Sequence, residues 1–227
     1  MRFQDRLEAG GQLARLLTRY REENPLVLAI PRGGVVVGYA VARALHAPLD
    51  VLVVRKLGAP GYPEFAIGAI APGGVRVLDH LALEYLELFD KELEQVIAAE
   101  EKEMQRRIDC YRGGEPLPDV NERTVLLVDD GLATGATAHA AVQALRKQHP
   151  RQLILALPVA DPNIAASLRA QVDDLVCVMM PDTLRAISLW YDLFDPVSDD
   201  EVIALLERAR KERAGSTRAA KEAVRRA

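Results

Sequence analysis

The chain has 227 residues, 49% hydrophobic and 27% charged, a balance that supports a folded core and excludes a disordered chain. A domain of this length buries roughly 70% of the surface its unfolded form exposes, so it needs no disulfide or metal staple. The two cysteines, Cys110 and Cys177, belong to no CxxC pair, and a formal charge of -4 removes any global electrostatic case for nucleic-acid or anionic-membrane binding. The first six residues carry charges where a signal peptide needs an apolar stretch, and Arg32 and Arg43 interrupt the most apolar region. A cytoplasmic protein with neither nucleic-acid nor membrane partners is therefore expected.

Short apolar runs alternate with helical patterns, the signature of a parallel sheet covered by helices. Residues 26–30 predict a buried strand, stopped by Pro31 and the Gly33-Gly34 pair, and 35–47 a helix. A second strand is expected over 49–54, followed by a Gly- and Pro-rich loop over 57–64 and a two-stranded excursion over 65–71 and 75–78. Apolar residues at Leu86, Phe89, Leu93, Val96, Ile97, Met104, Ile108 and Tyr111 predict one long amphipathic helix over 83–111. Strands then follow at 124–128, 153–159 and 175–180, with helices at 137–148 and 163–171 between them. The expected fold is α/β, a mainly parallel five-stranded sheet flanked by helices with a small hood. Residues 1–210 form a single domain in this reading, and 211–227 a basic, alanine-rich helical tail.

The most informative stretch is 125–137, VLLVDDGLATGAT. Four apolar residues bring a buried strand to its C-terminal edge, where open α/β sheets bind ligands. Asp129 and Asp130 stand at that edge as adjacent acceptors. Gly131, Leu132, Ala133, Thr134, Gly135, Ala136 and Thr137, most of them small, let backbone N–H groups converge on an anion at a helix start. The pattern is neither a Walker loop nor a dinucleotide fingerprint.

The stretch closely resembles the phosphoribosyl pyrophosphate (PRPP) motif of the type I phosphoribosyltransferases. That resemblance implies that Asp129 and Asp130 accept from the ribose 2- and 3-hydroxyls and that 132–137 hold the 5-phosphate. Hypoxanthine and guanine transferases carry an aspartate where this chain has Ala133, so the wording is nearer to adenine and uracil transferases. Ile30-Pro31-Arg32-Gly33-Gly34 resembles the family's pyrophosphate loop, often built around an unusual or cis peptide, and Arg55 and Lys56 resemble its basic pair at the end of the second strand. The loop over 57–64 corresponds to a lid in which Glu64 is a candidate for proton handling. Leu184 and Trp190 are the candidate base-binding residues, with Asp192 an approximate acid, although Trp190 and Tyr191 read equally as core anchors. His46, His80, His139 and His149 form no ligand spacing, and His139 is expected at the surface.

The start, Phe3-x-Asp5-Arg6, is also similar to that of a bacterial group of phosphoribosyltransferases that carries no assigned substrate. The resemblance implies a Mg-dependent enzyme of nucleotide metabolism that moves the 5-phosphoribosyl group from PRPP to a small nitrogen base and releases pyrophosphate. Its transition state is oxocarbenium-like at the ribose C1, Lys56, Asp129, Asp130 and Glu64 are the catalytic candidates, and a homodimer is allowed. A non-catalytic PRPP- or nucleotide-binding regulator of the same fold is the alternative, and a partner-binding protein acting through the 83–111 helix is a third reading.

Overall fold

The computed structural model describes residues 2–86 and 90–226, without the side chains of 64 and 216–226. Its centre is a five-stranded parallel sheet in the order β2–β1–β6–β7–β8. The strands are β1 (Leu26–Ala29), β2 (Leu49–Val51), β6 (Thr124–Val128), β7 (Gln152–Val159) and β8 (Asp174–Met179). Leu26 and Leu28 point into one apolar layer, and Val27 and Ala29 into the other. This is why the strands read as unbroken apolar runs: both faces of a parallel sheet are covered. Every side chain of β6 is buried.

From β1 the chain passes through α2 (Gly33–Leu45) to β2, and from β6 through α5 (Ala136–Arg146) to β7. These connections leave in opposite directions along the sheet, with α2 on one face and α5 on the other. The point where they part, between the C-terminal ends of β1 and β6, is where doubly wound sheets open a ligand crevice. Both motifs singled out by the sequence lie there. α6 (Pro162–Arg169) links β7 to β8.

A second, antiparallel sheet is built from β3 (Arg55–Ala59), β4 (Tyr62–Ala71) and β5 (Val75–Leu78). It packs with α5 through Ala69, Ala71 and Val75. Here the structure corrects the sequence reading. The second core strand stops at Val51, so Arg55 and Lys56 open a strand of the small sheet instead of closing one of the large sheet. The 57–64 stretch is a bulged strand pair, with register shifts at Leu57/Gly58 and Gly58/Ala59. The long helix is divided into α3 (His80–Tyr85) and α4 (Asp90–Arg112); residues 87–89, including Phe89 of the expected stripe, lie outside the described residues.

The N-terminal helix α1 (Arg6–Leu16) was not foreseen, and the last helix, α7 (Asp199–Arg226), begins well before the basic tail and carries it. Asp5 caps α1 by accepting from the Glu8 amide at 2.8 Å, a contact worth about 1 kcal/mol. α1 then crosses α2 so closely that a Cβ on Gly10 would stand 2.7 Å from the Ala40 Cβ. Phe3 pairs with Tyr191 in an isolated bridge, so the N-terminal segment meets the segment after β8 beside the end of β6. Among the described residues no helix is long and apolar enough to cross a membrane.

Candidate active site

Asp129 and Asp130 follow directly from the last residue of β6. One oxygen of Asp129, Oδ1, accepts from the Asp130 amide at 2.8 Å. One oxygen of Asp130, Oδ2, accepts from Arg6 Nε at 2.7 Å. Each carboxylate keeps a second oxygen beyond these contacts, and the Asp130 side chain keeps 14% of its surface exposed. The pair therefore presents two adjacent acceptors, the arrangement that a cis-diol needs.

Burial raises both carboxyls above the ordinary carboxylate range, and the charge of Asp130 pushes Asp129 further. At Asp130 the hydrogen bond and charge of Arg6 oppose the effect of burial, so its rise is the smaller. Tyr191 braces the same segment, donating from its hydroxyl to the Asp130 carbonyl at 2.6 Å. Burial lifts the Tyr191 pKa far above the physiological range, so the donor persists.

The β1 loop closes on this pair. Its Pro31–Arg32 peptide is cis, the unusual peptide expected of that loop. A Cβ on Gly33 would lie 1.9 Å from Asp130 Oδ2, and one on Gly34 2.9 Å from Asp129 Oδ1. Only backbone without side chains lets the two loops approach so far.

α1, α3 and α6 are capped by the side chains of Asp5, Asp79 and Asp161. α2 and α5, whose N-termini converge on the crevice, have no side-chain cap. Helix N-termini that no side chain caps present first-turn amides and a positive dipole end that suit an anion. The loop before α5 is held in place: Leu132 donates to the Val159 carbonyl at 2.9 Å and Asp161 to the Leu132 carbonyl at 2.9 Å. Ala133, Thr134, Gly135, Ala136 and Thr137 run from that anchor into the first turn of α5.

The basic residues singled out by the sequence, Arg32, Arg55 and Lys56, are more dispersed. Arg55 Nε donates to Glu100 Oε2 at 2.7 Å on α4, and Arg32 lies 3.8 Å from Asp199 Oδ1. Asp199 also accepts from Tyr111 at 2.5 Å and Arg106 at 3.1 Å. Lys56 lies next to Arg55 on β3, in register with Ala69. The Glu64 side chain lies outside the described residues. Leu184 and Trp190 pack, half-buried, against a cluster formed by Phe3, Ala9, Val159 and Tyr191, while Asp192 is exposed.

A cleft of about 620 Å³ separates β4, β5 and α3 from the loop before α5, with Phe65, Asp79, His80, Leu81, Thr134 and His139 among its lining. His139 is half-buried instead of at the surface, its Nδ1 3.1 Å from Gln171 Nε2 on the α6 side. Sequence reasoning missed this cleft and gave Arg6 no role. The Phe3-x-Asp5-Arg6 start was the available signal, but nothing local in it reveals a partner 124 residues away.

Residues 4–183 match the family model described as the phosphoribosyl transferase domain. The chain belongs to this family. This phosphoribosyl transferase domain is 42% identical over 210 residues to proteins named "Putative phosphoribosyl transferase" in two strains of Mycobacterium tuberculosis. The match covers 92% of the chain but 47% of those proteins, so the chain spans about half the length of the curated relatives it matches. Its structure is similar to the crystal structure of TT1426 from Thermus thermophilus, at 42% identity and a TM-score of 0.75, covering 91% of this chain and 98% of that one. The family match takes in Arg6, both loops and the acidic pair; Trp190, Tyr191 and α7 lie beyond its end.

Proposed function

We propose that this phosphoribosyl transferase domain moves the 5-phosphoribosyl group from PRPP to a small nitrogen base, releasing pyrophosphate. The observation that carries the reading is the acidic pair, with a second oxygen on each carboxylate beyond its internal contact, set between two helix N-termini without side-chain caps at the switch point. Asp129 and Asp130 would accept from the ribose hydroxyls and orient the sugar. The 131–137 loop and the α5 N-terminus would hold the 5-phosphate, and Gly33, Gly34 and the α2 N-terminus would face the pyrophosphate. Fixed geometry of this kind lowers a barrier by positioning, and cations near the departing oxygens lower it by charge stabilisation. Arg32, Arg55 and Lys56 are the candidates for that charge, and Glu64 for proton handling at the base.

Among the described residues no three His, Cys, Asp or Glu side chains are grouped to hold a metal ion. The paired carboxylates are the hard oxygen donors that Mg2+ accepts, and this ion commonly arrives on substrate phosphates with its waters. Mg2+ would be held through the PRPP oxygens beside Asp129 and Asp130, where it would supply charge neutralisation. Leu184 and Trp190 remain candidates for contacting the base from the rim. A cytoplasmic setting and a homodimer are part of the same proposal.

One observation favours a PRPP-binding regulator as the second reading: Arg55 is engaged by Glu100, away from the leaving group it would serve. Pyrophosphate release from Mg-PRPP, measured against purines, pyrimidines and pyridine carboxylates, separates the two. Base-dependent release supports the transferase. PRPP binding without release across the panel supports the regulator.

A further inference from the structure

The Arg6–Asp130 contact joins the first turn of α1 to the end of β6, and neither side chain is at the surface in the ordinary sense: they retain 10% and 14% of their exposure. Exposed ion pairs contribute little, but a buried cation beside two buried carboxylates changes what those carboxylates can do. The guanidinium is fixed on three sides. Nε donates to Asp130 Oδ2 at 2.7 Å, Nη1 donates to the Asp195 carbonyl at 2.9 Å, and the group lies 3.7 Å from the centre of the Phe194 ring. The Asp5 cap and the close crossing at Gly10 hold the helix that presents it.

We propose that Arg6 is a positioning residue for the acidic pair, fixing one oxygen of Asp130 so that the other stays aimed as the acceptor for a ribose hydroxyl. The inference rests on the PRPP reading of the site and adds to it a residue outside both recognised loops. Without the Arg6 hydrogen bond the Asp130 side chain is free to rotate, and its second oxygen loses its aim. A lysine could neutralise the charge, but one ammonium on a flexible stem does not bridge Asp130 and the Asp195 carbonyl while stacking on Phe194.

The test is calorimetric titration of Mg-PRPP, and separately of Mg-pyrophosphate, into the full chain and into Arg6→Met, Arg6→Lys, Asp130→Asn and the Arg6→Met/Asp130→Asn double variant. Methionine keeps an apolar stem over Phe194. The expected result is that R6M weakens PRPP binding about tenfold or more, as the loss of a charge-assisted hydrogen bond would. R6K falls between R6M and the parent, and pyrophosphate, which lacks the ribose, changes less than twofold. In the D130N background R6M costs less than twofold, because its effect runs through Asp130. A purely structural role would give additive losses and an equal loss for pyrophosphate, and either result overturns the proposal. So does a folded R6M with the parent's PRPP affinity. If R6M does not fold, R6K carries the test: affinity equal to the parent overturns it, and a selective loss for PRPP over pyrophosphate supports it. A parent chain that binds no PRPP refutes the functional reading and the inference together, whereas a parent that binds with R6M unchanged refutes the inference alone.

Discussion

An alanine at position 33 would place its Cβ 1.9 Å from Asp130 Oδ2, 2.7 Å from that residue's carboxyl carbon and 2.8 Å from Arg6 Nε. The carboxylate can escape only by rotating away from Arg6. The cost is therefore the loss of a buried charge-assisted hydrogen bond, about 1.5–3 kcal/mol. For a chain of this size each kcal/mol shifts Tm by about 2–4 °C, so Gly33→Ala should melt roughly 3–12 °C below the parent. A companion variant controls for generic glycine effects. Gly11 lies within α1 with nothing within 4 Å of where a Cβ would stand, so Gly11→Ala should stabilise by about 0.5–1 kcal/mol through helix propensity alone. Thermal and urea denaturation of both variants, with PRPP titration of each, reads the prediction. If Gly33→Ala melts with the parent and binds PRPP equally well, the contact between the β1 loop and the acidic pair is not as tight as described.

The remaining predictions follow from the charges buried near the sheet. Asp129 has a folded-state pKa raised by burial and by Asp130, so the folded chain binds more protons than the unfolded chain above pH about 4 and loses stability as pH rises toward that raised value. Asp129→Asn should therefore raise Tm at pH 7 and flatten its decline with pH, while weakening PRPP binding; a steeper decline would contradict the burial argument. Arg112 lies 3.3 Å from Asp50, with side-chain exposures of 5% and 14%. Arg112→Met should destabilise by about 1–3 kcal/mol by removing a cation from a mostly buried carboxylate that keeps Arg210 and the Val51 amide, and adding Asp50→Asn should restore part of it in urea denaturation. Lys56→Ala should slow pyrophosphate release more than it weakens PRPP binding; steady-state rates beside titrations show whether the loss falls on turnover.

The central sheet was legible because each strand is a short apolar run closed by punctuation. The expected strand at 124–128 and β6 coincide, since four apolar residues end there at two carboxylates. The small sheet was harder to read. Gly58, Pro60, Gly61 and Pro63 read as a loop, yet the chain pairs through a bulge, with Gly58 so close to Pro63 that a Cβ there would lie 2.4 Å from the Pro63 carbonyl oxygen. α1 was hidden by Gly10 and Gly11, poor helix formers, the first of which is needed for packing on α2. Helical periodicity across 83–111 could not show that α3 and α4 are separate helices.

At the site, Asp129, Asp130 and both loops were legible because each motif is contiguous in sequence. Arg6, Tyr191 and Phe194 were not, because their contacts with the acidic segment or with one another join distant parts of the chain. The basic residues show the converse limit. Arg55 was singled out by position, but its partner Glu100 lies on a helix whose packing the sequence does not specify.

The most direct test is calorimetric titration of Mg-PRPP into the parent chain and into Asp129→Asn/Asp130→Asn, with folding checked by the same melt. The account predicts saturable binding to the parent and a loss of at least about tenfold in the double variant, since two charged acceptors for ribose hydroxyls are removed. Equal affinity in the two proteins, or no binding to the parent, would contradict it.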